Sequence, residues 1–216
     1  MTNTNSGLRK PRGHYAKTEA RRTAILEAAL EVFSESGYRS GSLRDIAKRV
    51  GTSDAGLLHH FPSKTALLQA VLNHRQQRDR TFTDVGAQDG RVALRGVVAL
   101  AAHNADTPGV VELYATLAAE ATTPDHPAHA HFVQRYESVR EAGIGIFERL
   151  HQEGRLRSGL TPARAGVLTI AVMDGLQLQW LLDRESVDMS VELQAFLESI
   201  VDFGDDWSWE EEAPQA

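Results

Sequence analysis

The sequence contains no cysteine. That excludes disulfides, thiolate metal sites and a cysteine nucleophile, and it fits a reducing compartment, so the chain is expected in the cytoplasm. No run of 18 or more consecutive apolar residues occurs, so no membrane-spanning segment is expected. Residues Met1 to Lys17 lack an apolar core and do not read as a secretory signal. No stretch alternates apolar and polar residues as a half-buried strand would, and no internal repeat is present. A Gly-rich phosphate loop, a Gly-x-Ser-x-Gly elbow and a His-Glu-x-x-His pair are also missing. These absences point away from an enzyme and call for no cofactor.

What is present is a helical chain with divided charge. At 216 residues it can form one domain, or a small domain fused to a larger one. The net charge of −6 would argue against a polyanionic partner if it were evenly spread. It is not: residues 1–64 carry +5 and residues 65–216 carry −11. A basic head on an acidic body suggests that only the head meets a polyanion. A merely patchy, solvated surface would give the same counts.

Residues 1–17 are polar and include Arg9, Lys10, Arg12 and Lys17, so a flexible basic arm is expected there. A helix is expected from about Thr18 to Ser36, where Ile25, Ala28, Ala29, Val32 and Phe33 recur at helical spacing. Gly37 suits the position after its end. Ser42 is a candidate N-cap for a second helix whose apolar face is Leu43, Ile46, Ala47 and Val50, stopped by Gly51. Ser53 caps a third, about Asp54 to His60, and Ser63 a fourth. Further helices are expected over 92–103, 110–121, 128–153, 162–183 and 190–201. The class is all-α: a helix-turn-helix head over 18–64, a larger helical body over 65–203 and an acidic tail over 204–216.

The stretch Leu43–Phe61 carries the most information. Two short helices joined by Gly51-Thr52-Ser53 form a helix-turn-helix candidate. With Leu57 and Phe61 turned inward, Thr52, Ser53, Asp54, Gly56 and His59 face outward. Their side chains are small or hydrogen-bonding, so such a helix can approach a major groove closely. A purely structural three-helix unit has the same pattern.

The wording of the motifs sharpens this. Arg22-Thr23-Ala24-Ile25-Leu26-Glu27-Ala28-Ala29, followed by Phe33 and Gly37-Tyr38, resembles the first helix of the TetR (tetracycline repressor) family. Ser42-Leu43-Arg44-Asp45-Ile46-Ala47 and Val50-Gly51-Thr52-Ser53 are similar to that family's second helix and turn. Leu57, His60-Phe61-Pro62-Ser63-Lys64 and Leu67-Leu68 resemble its third helix and the start of its fourth. The resemblance covers about residues 18–72.

It implies a homodimeric transcriptional regulator, usually a repressor, that binds a palindromic double-stranded DNA operator and is released by a small-molecule effector. Carried onto this chain, it implies DNA contacts by Arg44, Thr52, Ser53, Gly56, His59, His60 and Lys64. One departure is Leu58, where the family often has a tyrosine that reaches the DNA backbone. Two other readings stay open: a helical binding or catalytic protein whose head no longer binds DNA, and an effector-independent activator.

In the body, the helix from Pro162 is apolar around much of its circumference, which suits packing on its own subunit and on a second copy. The resemblance places the dimer contact on the last two helices. A ligand pocket is expected among the middle helices, with His103, Tyr114, Leu117 and Tyr136 as candidate linings. Phe147, Met173, Gln177 and Trp180 complete that set. The cluster His126, His129 and His131 invites a metal reading, but Pro127 interrupts its spacing and no fourth ligand is evident, so a solvated loop is expected and no metal. Asp174 and Glu120 could be a carboxylate pair, though nothing in the sequence sets their separation.

Overall fold

A computed structural model describes residues 12–210, with side chains from residue 17 onward. Most of the expected basic arm and the final acidic residues lie outside the described residues. Among the described residues the chain is all-α, with one isolated antiparallel bridge between Leu156 and Val201. The helices are α1 (Arg12–Ser40), α2 (Leu43–Val50), α3 (Asp54–His60), α4 (Lys64–Asp79), α5 (Gly90–Ala105), α6 (Pro108–Glu120), α7 (His129–Gln152), α8 (Pro162–Leu182) and α9 (Met189–Ile200).

Helix α1 starts earlier than the sequence pattern suggests, so residues 12–17 of the expected arm are helical. Its regular run breaks at Gly37 (φ 73°), a conformation that costs a residue with a Cβ more than glycine. Helical backbone resumes to Ser40 beyond the break, where the pattern predicted an end. The next three helices start as read. Ser42, Ser53 and Ser63 each accept from the backbone N–H three residues on, at 3.1, 3.1 and 3.0 Å. Each such cap contributes about 1 kcal/mol. Gly51 (φ 71°) sends its N–H back to Lys48 O at 3.1 Å and turns the chain into α3.

Two apolar clusters hold the molecule together. The first joins Ile25, Ala29 and Phe33 of α1 to Ile46, Leu57, Phe61 and Leu68. It does not stop at residue 64. It runs through α4 onto Leu113 and Leu117 of α6 and Phe132 of α7, so the head sits directly on the body's core. The second joins α5, α7, α8 and α9 around Leu94, Phe147, Leu150 and Leu193.

Helices α7 and α8 lie antiparallel and close. A Cβ on Gly143 would come 3.4 Å from Gly166 Cα, while Tyr136 meets Asp174 further along. Helix α8 is long and apolar enough to cross a membrane by length and composition alone. Here one of its faces, through Ala165, Leu176 and Trp180, belongs to the second cluster. The opposite face leaves Leu168, Leu178 and Leu182 exposed, the last at 82%.

The tail does not leave the body at residue 204. Trp207 and Trp209 stack against Phe203, with ring centroids 5.5 and 4.7 Å away. Arg91 donates to Phe203 O at 2.7 Å, and the Arg95 guanidinium lies 4.2 Å from the Trp207 ring centre.

Candidate nucleic-acid interface and effector cavity

The head presents α3 outward. Leu57 is fully buried and Phe61 nearly so, which fixes the helix's rotation. Ser53, Asp54, Leu58 and His59 are consequently exposed, with Thr52, Gly56 and His60 half-buried beside them. Arg44 is exposed at the start of α2, and its helix face continues toward the turn. Gly56 is tight: a Cβ there would lie 2.6 Å from Thr52 Oγ1, so any larger residue displaces the Thr52 side chain.

Three basic residues prove to be tied into the fold. Lys64 Nζ donates to Arg39 O at 2.8 Å and lies 4.9 Å from the Tyr38 ring centre. Burial holds the Lys64 ammonium below its usual lysine range. Two of its three N–H groups remain for another acceptor. Arg21 donates to Gly51 O at 3.0 Å, satisfying the end of α2. Arg22 lies over the Phe61 ring at 4.4 Å. The roles of Arg21 and Arg22 escaped the sequence reading, because their partners are 30 or more residues away.

In the body, a cavity of about 380 Å³ lies between α4, α5, α7 and α8. Of the candidate linings, Tyr136, Phe147, Met173 and Gln177 face it. The other four do not. His103 stacks on Phe82 at 4.5 Å, and Trp180 lines a separate shallow hollow beside Met189. Tyr114 donates to Leu72 O at 3.1 Å, and Leu117 is buried in the first cluster. Both belong to the seam between head and body, because α6 packs on α1 rather than on the cavity.

The cavity has a polar end and an apolar end. Toward the head, Arg75 donates to Asn104 Oδ1 at 2.7 Å and its Nε lies 2.6 Å from Asp79 Oδ1. Nearby, Tyr136 donates to Asp174 Oδ2 at 2.8 Å. Burial pushes the Asp174 carboxyl up, against the opposing effects of the Tyr136 hydrogen bond and the Arg135 charge. Burial, then Asp174, push the Tyr136 hydroxyl up to about 12. Arg135 also lines this end. At the far end, Leu94, Ile146 and Phe147 line the wall, and Arg149 closes the loop above it by donating to Val85 O at 2.8 Å.

The carboxylate pair considered from sequence does not exist. Asp174 is bonded to Tyr136, while Glu120 meets Arg39 at 3.5 Å and His126 at 3.4 Å. The three histidines also diverge. His126 faces Glu120, His129 Nδ1 lies 2.7 Å from Ala121 O, and His131 Nδ1 lies 3.2 Å from Asn73 Oδ1. Among the described residues no group of three potential metal ligands converges.

A capped helix-turn-helix on a helical body with an internal cavity defines a two-part helical architecture. Residues 25–71 match the family model described as bacterial regulatory proteins, tetR family. The chain is 48% identical over 64 residues to the HTH-type transcriptional regulator UidR of Escherichia coli (strain K12). That match spans 29% of this chain and 33% of UidR, so it concerns the head alone.

The whole fold is shared more widely. A protein of Saccharomonospora viridis, solved in complex with choline, superposes with a TM-score of 0.72 at 24% identity, covering 86% of this chain and 99% of that one. FadR of Bacillus subtilis, solved with stearoyl-CoA, does so with a TM-score of 0.68 at 19% identity, covering 82% and 95%. At such identities the likeness is one of fold.

Proposed function

We propose that this protein is a ligand-responsive DNA-binding transcriptional regulator of the cytoplasm, acting as a repressor that its effector releases. The observation carrying this reading is the outward face of α3, held by Leu57 and Phe61 and entered through the Gly51 turn. An exposed, small-featured second helix of this kind enters a major groove, with its first residues at base edges. In this reading Thr52, Ser53, Gly56 and His59 face the bases, while Arg44, His60 and Lys64 hold the phosphate backbone. The head over 18–64 reads DNA, and the body over 65–203 binds the effector and dimerises.

The dimer forms through α8 and α9. Leu168, Leu178 and Leu182 on α8 and Val191 on α9 supply an apolar face that a second copy covers. Two heads then sit on the halves of a palindromic operator. The cavity supports an effector site because it combines apolar walls with few polar groups. Related folds hold stearoyl-CoA and choline, so the fold accommodates ligands of differing chemistry. The test is binding of the purified chain to DNA flanking its own gene. Salt-sensitive, sequence-specific binding that Arg44→Ala weakens is the expected result; binding indifferent to sequence would sink the proposal.

A further inference from the structure

The polar end of the cavity is short of an acceptor. Asp79 is matched by Arg75, whose guanidinium also reaches Asn104. Asp174 accepts from Tyr136. Both carboxylates on the wall are therefore already engaged. Arg135 is different: among the described residues its guanidinium forms no hydrogen bond or ion pair with a carboxylate or carbonyl, lying 5.8 Å from the Tyr114 ring centre and close enough to Asp174 for its charge to act on that carboxyl. Arg80, further along the same wall, forms no ion pair among the described residues either. Once Asp79 and Arg75 cancel, two arginines face a single carboxylate, Asp174, one oxygen of which already accepts from Tyr136. A guanidinium offers five N–H donors in a fork that fits a carboxylate.

The opposite end sets the rest of the ligand. Leu94, Ile146 and Phe147 form its wall and offer no polar side chain. The chain direction keeps the two ends apart, since α7 runs from Arg135 at the head side to Phe147 at the far side. At about 380 Å³ the cavity is near the lower limit for pockets that enclose small ligands, about 300–1,000 Å³.

We infer that the ligand of this cavity is a small amphipathic carboxylate, with its head group on Arg135 and its apolar body against Leu94, Ile146 and Phe147. The inference rests on the reading of the cavity as an effector site. An amphipathic cation is disfavoured because it would set its charge beside Arg135 and compete with Tyr136 for Asp174.

The experiment is calorimetric titration of the full chain with octanoate, octanol and octylammonium, which share a body and differ in charge. Octanoate should bind at least about tenfold more tightly than the other two, as a charge-assisted forked pair requires. Arg135→Gln should remove that preference, and a cooperative thermal unfolding transition like that of the unaltered chain shows that the variant is folded. Arg135→Lys, which keeps the charge and loses the fork, should fall between them. Equal or tighter binding of octylammonium, octanoate binding untouched by Arg135→Gln, or no binding of any of the three would overturn the inference. Octanoate that binds through Arg135 yet leaves DNA affinity unchanged would support the ligand class and overturn effector release.

Discussion

Arg75 and Asn104 are joined by a buried hydrogen bond of 2.7 Å that ties α4 to α5. Arg75 is only 5% exposed, and its charge is balanced by Asp79 one turn along α4. Helix α4 also begins at Lys64, against the head. The same helix thus touches the head at one end and lines the cavity at the other.

This pairing predicts a graded loss of stability. Asn104→Ala should cost about 1–3 kcal/mol, the expected penalty for a buried charged donor losing its acceptor. Asp79→Asn should cost more, about 3 kcal/mol or above, because it leaves the Arg75 charge uncompensated. Urea unfolding of the two variants checks the order. A smaller loss for Asp79→Asn would show that solvent already screens the pair.

The head predicts separable effects on DNA. Arg44→Ala should weaken binding to all sequences alike and flatten the salt dependence by about one unit, as loss of one phosphate contact does. Gly56→Ala should instead reduce discrimination between operator and random DNA, because its Cβ displaces Thr52. Anisotropy titrations across a salt series separate the two.

Leu58 is 41% exposed on α3 and cannot donate a hydrogen bond. Leu58→Tyr should add a backbone contact worth about 1 kcal/mol, or roughly fivefold in affinity for any DNA. Binding to random duplex at fixed salt measures it.

Acid should destabilise the body through His131. Burial and the Arg135 charge lower its pKa from 6.5 to about 4. A depressed folded-state pKa gives stability that is present above the unfolded value and lost as pH falls through the folded one. Thermal stability should therefore fall between about pH 6.5 and 4, and His131→Gln should flatten that fall. Asp174 has the opposite sign. Its raised pKa favours the folded state at low pH and penalises it as pH rises, so Asp174→Asn should raise the melting temperature at pH 7 and lose that advantage toward pH 4. Scans across pH on both variants test the two signs together.

The proposed dimer face makes a further prediction. Leu182→Glu should convert a dimer to monomers in sedimentation, because it places a charge in a face that association would desolvate. An unchanged sedimentation coefficient would place the contact elsewhere.

The sequence shows most of the fold because local signals set it. Ser42, Ser53 and Ser63 lie three residues before the N–H groups they cap, and Gly51 turns where its φ demands. The pattern at Leu57 and Phe61 shows which side of α3 is buried. The cavity was half legible. Tyr136, Phe147, Met173 and Gln177 line it, but Tyr114 and Leu117 serve the seam between head and body. Apolar periodicity marks a helix's buried side and not which neighbour covers it. Arg75, Arg135 and the Trp207–Trp209 cluster depend on partners far along the chain, and no local pattern announces them.

The most direct test of the central claim is fluorescence anisotropy of the full chain with labelled DNA from upstream of its own gene, with random duplex as competitor. The account predicts saturable binding by a dimer to a site whose half-site centres lie about 34–36 Å apart, or a multiple of that. It should weaken steeply with salt and be weaker again in Arg44→Ala. Binding that random duplex competes away equally well, or no binding at low salt, would contradict it.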